Sequence, residues 1–135
     1  MRKIILLAAA ALGVAGCANQ EALERMDAET DAALAEELNG WAQAGPPQNC
    51  VSQRMLRSNR SVGEGAIIFE ASSDRVFVNR PPAGCPGIRF GRALSTRTTS
   101  SQLCAGDIAT VFDPVSGSEY GSCGLGEFTP YQRVE

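Results

Sequence analysis

The chain has 135 residues, with 12 Lys+Arg, 15 Asp+Glu and no His, for a formal net charge of −3. The missing His excludes Ser-His-Asp and Cys-His catalysis and histidine metal sites. A balance this close to neutral sets up no field for nucleic acid, and the length suits one domain.

Arg2 and Lys3 precede an apolar run, Ile4 to Val14, interrupted only by Gly13. This is the layout of a secretory signal peptide, and the run falls short of the roughly twenty residues that span a bilayer. The segment ends in Val14-Ala15-Gly16-Cys17, which resembles the bacterial lipobox: an aliphatic residue, two small ones, then cysteine. The resemblance implies lipidation (palmitate) of Cys17, cleavage before it, and attachment of a lipoprotein to the cell envelope. Two or three acyl chains hold firmly where one binds only marginally. Ala18 lacks the acidic residue associated with inner-membrane retention, which implies the outer membrane, facing the periplasm. The expected division is a signal peptide over 1–16, a lipidated tether over 17–48 and a domain over 49–135.

The tether carries seven acids (Glu21, Glu24, Asp27, Glu29, Asp31, Glu36, Glu37) and one base, Arg25. From Asn49 onward nine Arg face eight acids, so the acidity belongs to the tether. Asn19 to Ala44 is rich in helix formers. Leu23, Met26, Leu34, Leu38 and Trp41, spaced by threes and fours, predict one apolar stripe on an acidic helix, stopped by Gly45-Pro46-Pro47. Thr30 and Glu37 interrupt a coiled-coil seam. The stripe suits packing on the chain's own domain or on a partner.

The remaining cysteines, Cys50, Cys85, Cys104 and Cys123, form an even set in an exported domain, which predicts two disulfides. Their wide spacing and the lack of His argue against zinc. Strands are expected at Val51–Arg57, Gly65–Ala71, Arg75–Asn79, Gly87–Leu94, Ile108–Asp113 and Ser118–Cys123, with Ser95–Ser101 a strand or a loop. Ile67 and Phe69 are expected to share a face with Val76 and Val78, opposite Ile68 and Phe77. The fold class is mainly β: a helical tether, then a small disulfide-bonded antiparallel domain, barrel-like or a sandwich. An up-and-down order favours Cys85–Cys104 and Cys50–Cys123, with the other pairings left open.

Cys50-Val51, Val78-Asn79-Arg80, Cys85-Pro86-Gly87-Ile88, Leu103-Cys104-Ala105-Gly106-Asp107 and Cys123-Gly124-Leu125-Gly126-Glu127-Phe128 occur in that order. The series resembles a family of small exported proteins of unknown function from Alphaproteobacteria. It implies export, paired cysteines and a compact fold, and carries no catalytic residues over.

No motif for an enzyme stands out, and no cofactor is expected. Asp107 with Glu127 is the one carboxylate pair suited to a small hydrolase, against ordinary turn roles. Arg54, Arg57, Arg89 and Arg92, with Arg60 near the first two, are candidates for binding an anionic envelope polymer. Ser116-Gly117-Ser118-Glu119-Tyr120 is similar to the Ser-Gly-x-basic-Tyr loop of periplasmic lysozyme inhibitors, but Glu119 reverses the charge. The expectation is a non-enzymatic structural or binding module in the envelope, with an envelope protein or polymer as partner. An enzyme inhibitor and a carboxylate hydrolase are the alternatives.

Overall fold

The computed structural model describes residues 14–89 and 92–135, with side chains from residue 19 onward. The expected signal segment up to Gly13, the Cys17 side chain, and Phe90 and Gly91 of the strand expected at 87–94 lie outside the described residues.

A helix, α1, runs from Val14 to Glu37. It stops earlier than the Gly45-Pro46-Pro47 signal suggested. Gly40 takes φ +83°, a left-handed conformation that reverses the chain and that glycine adopts without strain. Trp41 consequently leaves the helix and opens β1 (Trp41–Gln43). Then follow β2 (Cys50–Ser52), a 3-10 turn (Gln53–Met55), β3 (Ser58–Val62), β4 (Ala66–Glu70) and β5 (Arg75–Asn79). The second half of the chain supplies β6 (Ala93–Thr96), β7 (Gln102–Cys104), β8 (Ile108–Phe112), β9 (Glu119–Gly124) and β10 (Phe128–Arg133).

The strands form three antiparallel sheets among the described residues: β1-β10-β5-β4-β3, β6-β8-β9 and β2-β7. The mainly β class holds, as a layered arrangement without a closed barrel. β1 and the Gln48–Phe128 bridge tie residues 41–48 to β10 of the five-stranded sheet.

The five-stranded sheet is apolar on both faces, which follows from Ala66-Ile67-Ile68-Phe69 facing Val76-Phe77-Val78. The register pairs Phe69 with Phe77 and Ile68 with Val78. Ile67, Phe69, Phe77 and Phe128 therefore share one face, while Ala66, Ile68, Val76 and Val78 share the other. This is one residue out of step with the expected faces: side chains alternate along a strand, so a single step of register moves every partner to the opposite face.

The first face packs on the two smaller sheets through Val51, Leu94, Leu103, Ala109 and Val111. The second face lies under α1, where Leu34 is buried and Ala33, Leu38 and Trp41 are half-buried. The helical stripe thus rests on the chain's own domain from about Met26 onward, while Leu23 stays exposed. Burying Leu34 alone contributes about 1.5–3 kcal/mol.

Two disulfides close the fold, with a connectivity different from the favoured one: Cys50–Cys104 and Cys85–Cys123. The reason is the β2-β7 ladder, which sets Cys50 directly opposite Cys104. Strand β7 directly follows the hydroxyl-rich Ser95–Ser101 stretch, in residues where the sequence predicts no strand, so an up-and-down order could not anticipate it.

Candidate functional site

The helix dock joins α1 to the five-stranded sheet through fitted side chains and ion pairs. Thr30 is 3% exposed and its Oγ1 donates to the Met26 carbonyl at 2.7 Å. Gly65 admits it: a Cβ there would lie 1.8 Å from Thr30 Oγ1. Gly84 leaves room for Met26 in the same way, since its Cβ would sit 2.7 Å from the Met26 sulfur. Around this contact run ion pairs. Arg80 reaches Asp31 at 2.5 Å and Asp27 at 3.6 Å. Arg60 bridges Glu37 at 3.4 Å and also contacts Glu70. These groups are around half exposed, so each pair adds little stability and mainly fixes the helix's direction. Three acids of the tether, Asp27, Asp31 and Glu37, are thus spent on this dock.

The four candidate anion-binding arginines do not converge. Arg57 is exposed, and its backbone N–H donates to the Glu70 carbonyl at one end of the β3-β4 hairpin; Arg54 lies in the preceding 3-10 turn. Arg89 stands 3.8 Å from Glu64, in the turn at the other end. Five-residue strands separate those ends by about 17 Å. Arg92 is committed elsewhere: its Nη1 donates to the Gly87 carbonyl at 2.8 Å and its guanidinium lies 3.6 Å over the Tyr120 ring. An anion held by all four is therefore not a property of this fold.

The two acids of the candidate carboxylate pair make different contacts, although the Asp107 carbonyl accepts the Leu125 N–H at 2.9 Å, two residues before Glu127. The Asp107 carboxylate accepts the Cys104 N–H at 2.7 Å, a turn role that supports the end of β7. Glu127 is exposed and lines a different feature, a groove of about 260 Å³ beside Leu34, Arg80 and Tyr131. A residue that sequence reasoning passed over carries more weight here. Asn79 is fully buried; its Nδ2 donates to the Gly126 carbonyl at 2.7 Å, and its Oδ1 accepts the Gly126 N–H at 2.9 Å. One amide side chain thus satisfies both backbone groups of a buried loop residue. Its signal was present in the sequence: a lone polar residue closing the apolar run Val76-Phe77-Val78.

The family of unknown function DUF6491 matches residues 1–133. The chain belongs to the DUF6491 family. No curated protein and no solved structure matches it.

The Ser116–Tyr120 stretch of this DUF6491 chain is exposed and runs from the turn after β8 into the start of β9. Asp113 Oδ1 accepts the Val115 N–H at 2.7 Å, and Gly117 takes φ +75° to close the loop. Tyr120 lies under Arg92 and Glu119 faces solvent, so the inhibitor-like motif projects an acid and no base. Asp74, in the β4-β5 turn, has its pKa held below 3.8 by the Ser72 hydroxyl at 2.6 Å, then by its own backbone N–H and by Arg75 and Arg133; it serves the turn. Among the described residues, no group of three or more Cys, Asp or Glu is placed to hold a metal ion, and no helix is long and apolar enough to cross a membrane.

Proposed function

We propose that this DUF6491 protein is a lipid-anchored, non-enzymatic binding module of the bacterial cell envelope, tethered through Cys17 and projecting its β domain into the periplasm from the outer membrane. The observation that carries the reading is the continuity of α1. Its backbone runs from the lipobox-like Val14-Ala15-Gly16-Cys17 into the docked segment around Thr30 and Leu34. From Cys17 to Met26 is nine residues, about 14 Å of helix. An acyl chain on Cys17 would therefore hold the domain close to the membrane in a set orientation. The paired cysteines suit an oxidising compartment.

The test is metabolic labelling with radioactive palmitate. Wild-type chain should take up label and fractionate with membranes, and Cys17→Ser should do neither. Undiminished labelling of Cys17→Ser would overturn the anchoring.

A further inference from the structure

The outer face of the β6-β8-β9 sheet carries a slot of about 300 Å³ lined by Ser95, Arg97, Thr110, Phe112, Gly117 and Glu119. That volume is at the lower end of small-ligand sites. Strand alternation builds it. Leu94, Ala109 and Val111 point into the core, so Ser95, Thr110 and Phe112 must point out. The register sets Ser95 directly across from Thr110 and Phe112 across from Glu119. The bulge between Val111 and Phe112 brings Glu119 to the rim.

The chemistry of the lining is specific. Arg97 follows the Thr96–Ala109 pair, while Glu119 sits at the far end of β8 and one strand beyond it. Two strand spacings and four residues of rise separate their backbones by about 16 Å. Neither forms an ion pair among the described residues. The slot therefore has one cation at one corner, one anion at the diagonal corner and no net charge. Between them lie two hydroxyls, each able to donate and accept, and the half-buried Phe112, a flat apolar surface. A polyanion meets Glu119, and a wholly apolar ligand strands the hydroxyls. An elongated neutral ligand with hydroxyls along its length and apolar C–H faces matches each element.

We infer that this slot binds a neutral oligosaccharide, with Phe112 beneath a sugar ring, Ser95 and Thr110 bonding its hydroxyls, and Arg97 and Glu119 gripping the two ends. This adds a ligand class to the binding-module reading and rests on it. Anchoring is tested separately, by palmitate labelling without any sugar.

The experiment is an NMR titration of the full, lipidated chain in a sugar-free detergent, with tri-N-acetylchitotriose and maltotriose as neutral probes and a tripeptide with free termini as competitor. At least one trisaccharide should give saturable shifts of the Ser95–Arg97, Thr110–Phe112 and Glu119 amides. Arg97→Ala removes a charge-assisted hydrogen bond and should weaken binding about tenfold or more. Thr110→Val should weaken it too, and both should melt like the parent. Arg54→Ala, outside the slot, should bind normally. Saturation by neither sugar, shifts mapping to another face, binding of the tripeptide alone, or full affinity in Arg97→Ala would each overturn the proposal.

Discussion

Replacing Asn79 by Ala tests whether one buried amide holds the loop between β9 and β10. The side chain is fully buried and bonded to both backbone groups of Gly126, at 2.7 and 2.9 Å. Gly126 is itself buried and pressed against β5, since a Cβ on it would meet the Arg80 carbonyl oxygen at 2.5 Å. Ala leaves an N–H and a C=O without partners, and each costs about 1–3 kcal/mol when buried. Some water entry reduces the sum to about 2–4 kcal/mol. Unfolding entropy near 2.1 cal/mol/K per residue over residues 17–135 makes this a fall in Tm of about 8–16 °C. Thermal denaturation followed by circular dichroism, with disulfides intact, reads it directly. Asn79→Asp sharpens the test. It keeps an acceptor for the Gly126 N–H but loses the donor and buries a charge, so it should be at least as harmful at neutral pH. Acid should partly rescue it, because a protonated carboxyl donates again. An Asn79→Ala Tm within about 2 °C of the parent would refute the role given to this amide.

Gly65→Ala should lift α1, because the new Cβ would lie 1.8 Å from Thr30 Oγ1 and 2.9 Å from Thr30 Cβ, and a rotamer change relieves only the first. The expected cost is about 1–3 kcal/mol, with faster hydrogen exchange across residues 26–38; unchanged protection there would count against the dock. Under limiting reductant, Cys50–Cys104 should open before Cys85–Cys123, since Cys85 and Cys123 are 1% and 6% exposed while Cys50 and Cys104 are half-buried. Alkylation with mass spectrometry gives the order, and the reverse order would contradict these placements. Asp74, whose pKa is lowered in the fold, contributes stability that is fully present above pH 3.8 and is lost as pH falls from there through its folded value. Asp74→Asn should remove that part of the acid sensitivity, and an unaltered stability profile below pH 3.8 would exclude it.

The β4-β5 hairpin is legible because dense apolar β-formers flank Ser72-Ser73-Asp74, and its central place follows from having apolar residues of both parities. The edges of the large sheet are less so. Trp41 continues the helical spacing, and only Gly40's left-handed turn converts it to a strand. Pro130 argues against a strand inside β10, because it lacks an N–H. It is tolerated because it lies just beyond the end of the β1 ladder, where its carbonyl accepts the Ala44 N–H at 2.9 Å and no donor is required. β3, Ser-Asn-Arg-Ser-Val, is mostly polar and holds its place through the β4 ladder and the helix packed above it. The arginines were readable as cations but not as partners: whether Arg80 meets Asp31 or a ligand depends on contacts about fifty positions apart. The slot residues were similarly scattered. Arg97, Thr110 and Glu119 come together only through the β6-β8-β9 order, which no local pattern contains.

The two disulfides interleave: Cys50 joins Cys104 and Cys85 joins Cys123, across 54 and 38 positions. Neither joins cysteines that are neighbours in sequence. A chain that enters an oxidising compartment amino end first presents Cys50 and Cys85 together while the native partners of both are still to come. Any bond made at that stage is wrong, and closing it delays the β2-β7 pairing that would correct it. Oxidative refolding should therefore depend on timing: slow oxidation, or a thiol–disulfide isomerase that reopens a premature bond, should raise the yield of the interleaved pairing. The connectivity that locks the finished domain thus makes the order of oxidation a determinant of its yield.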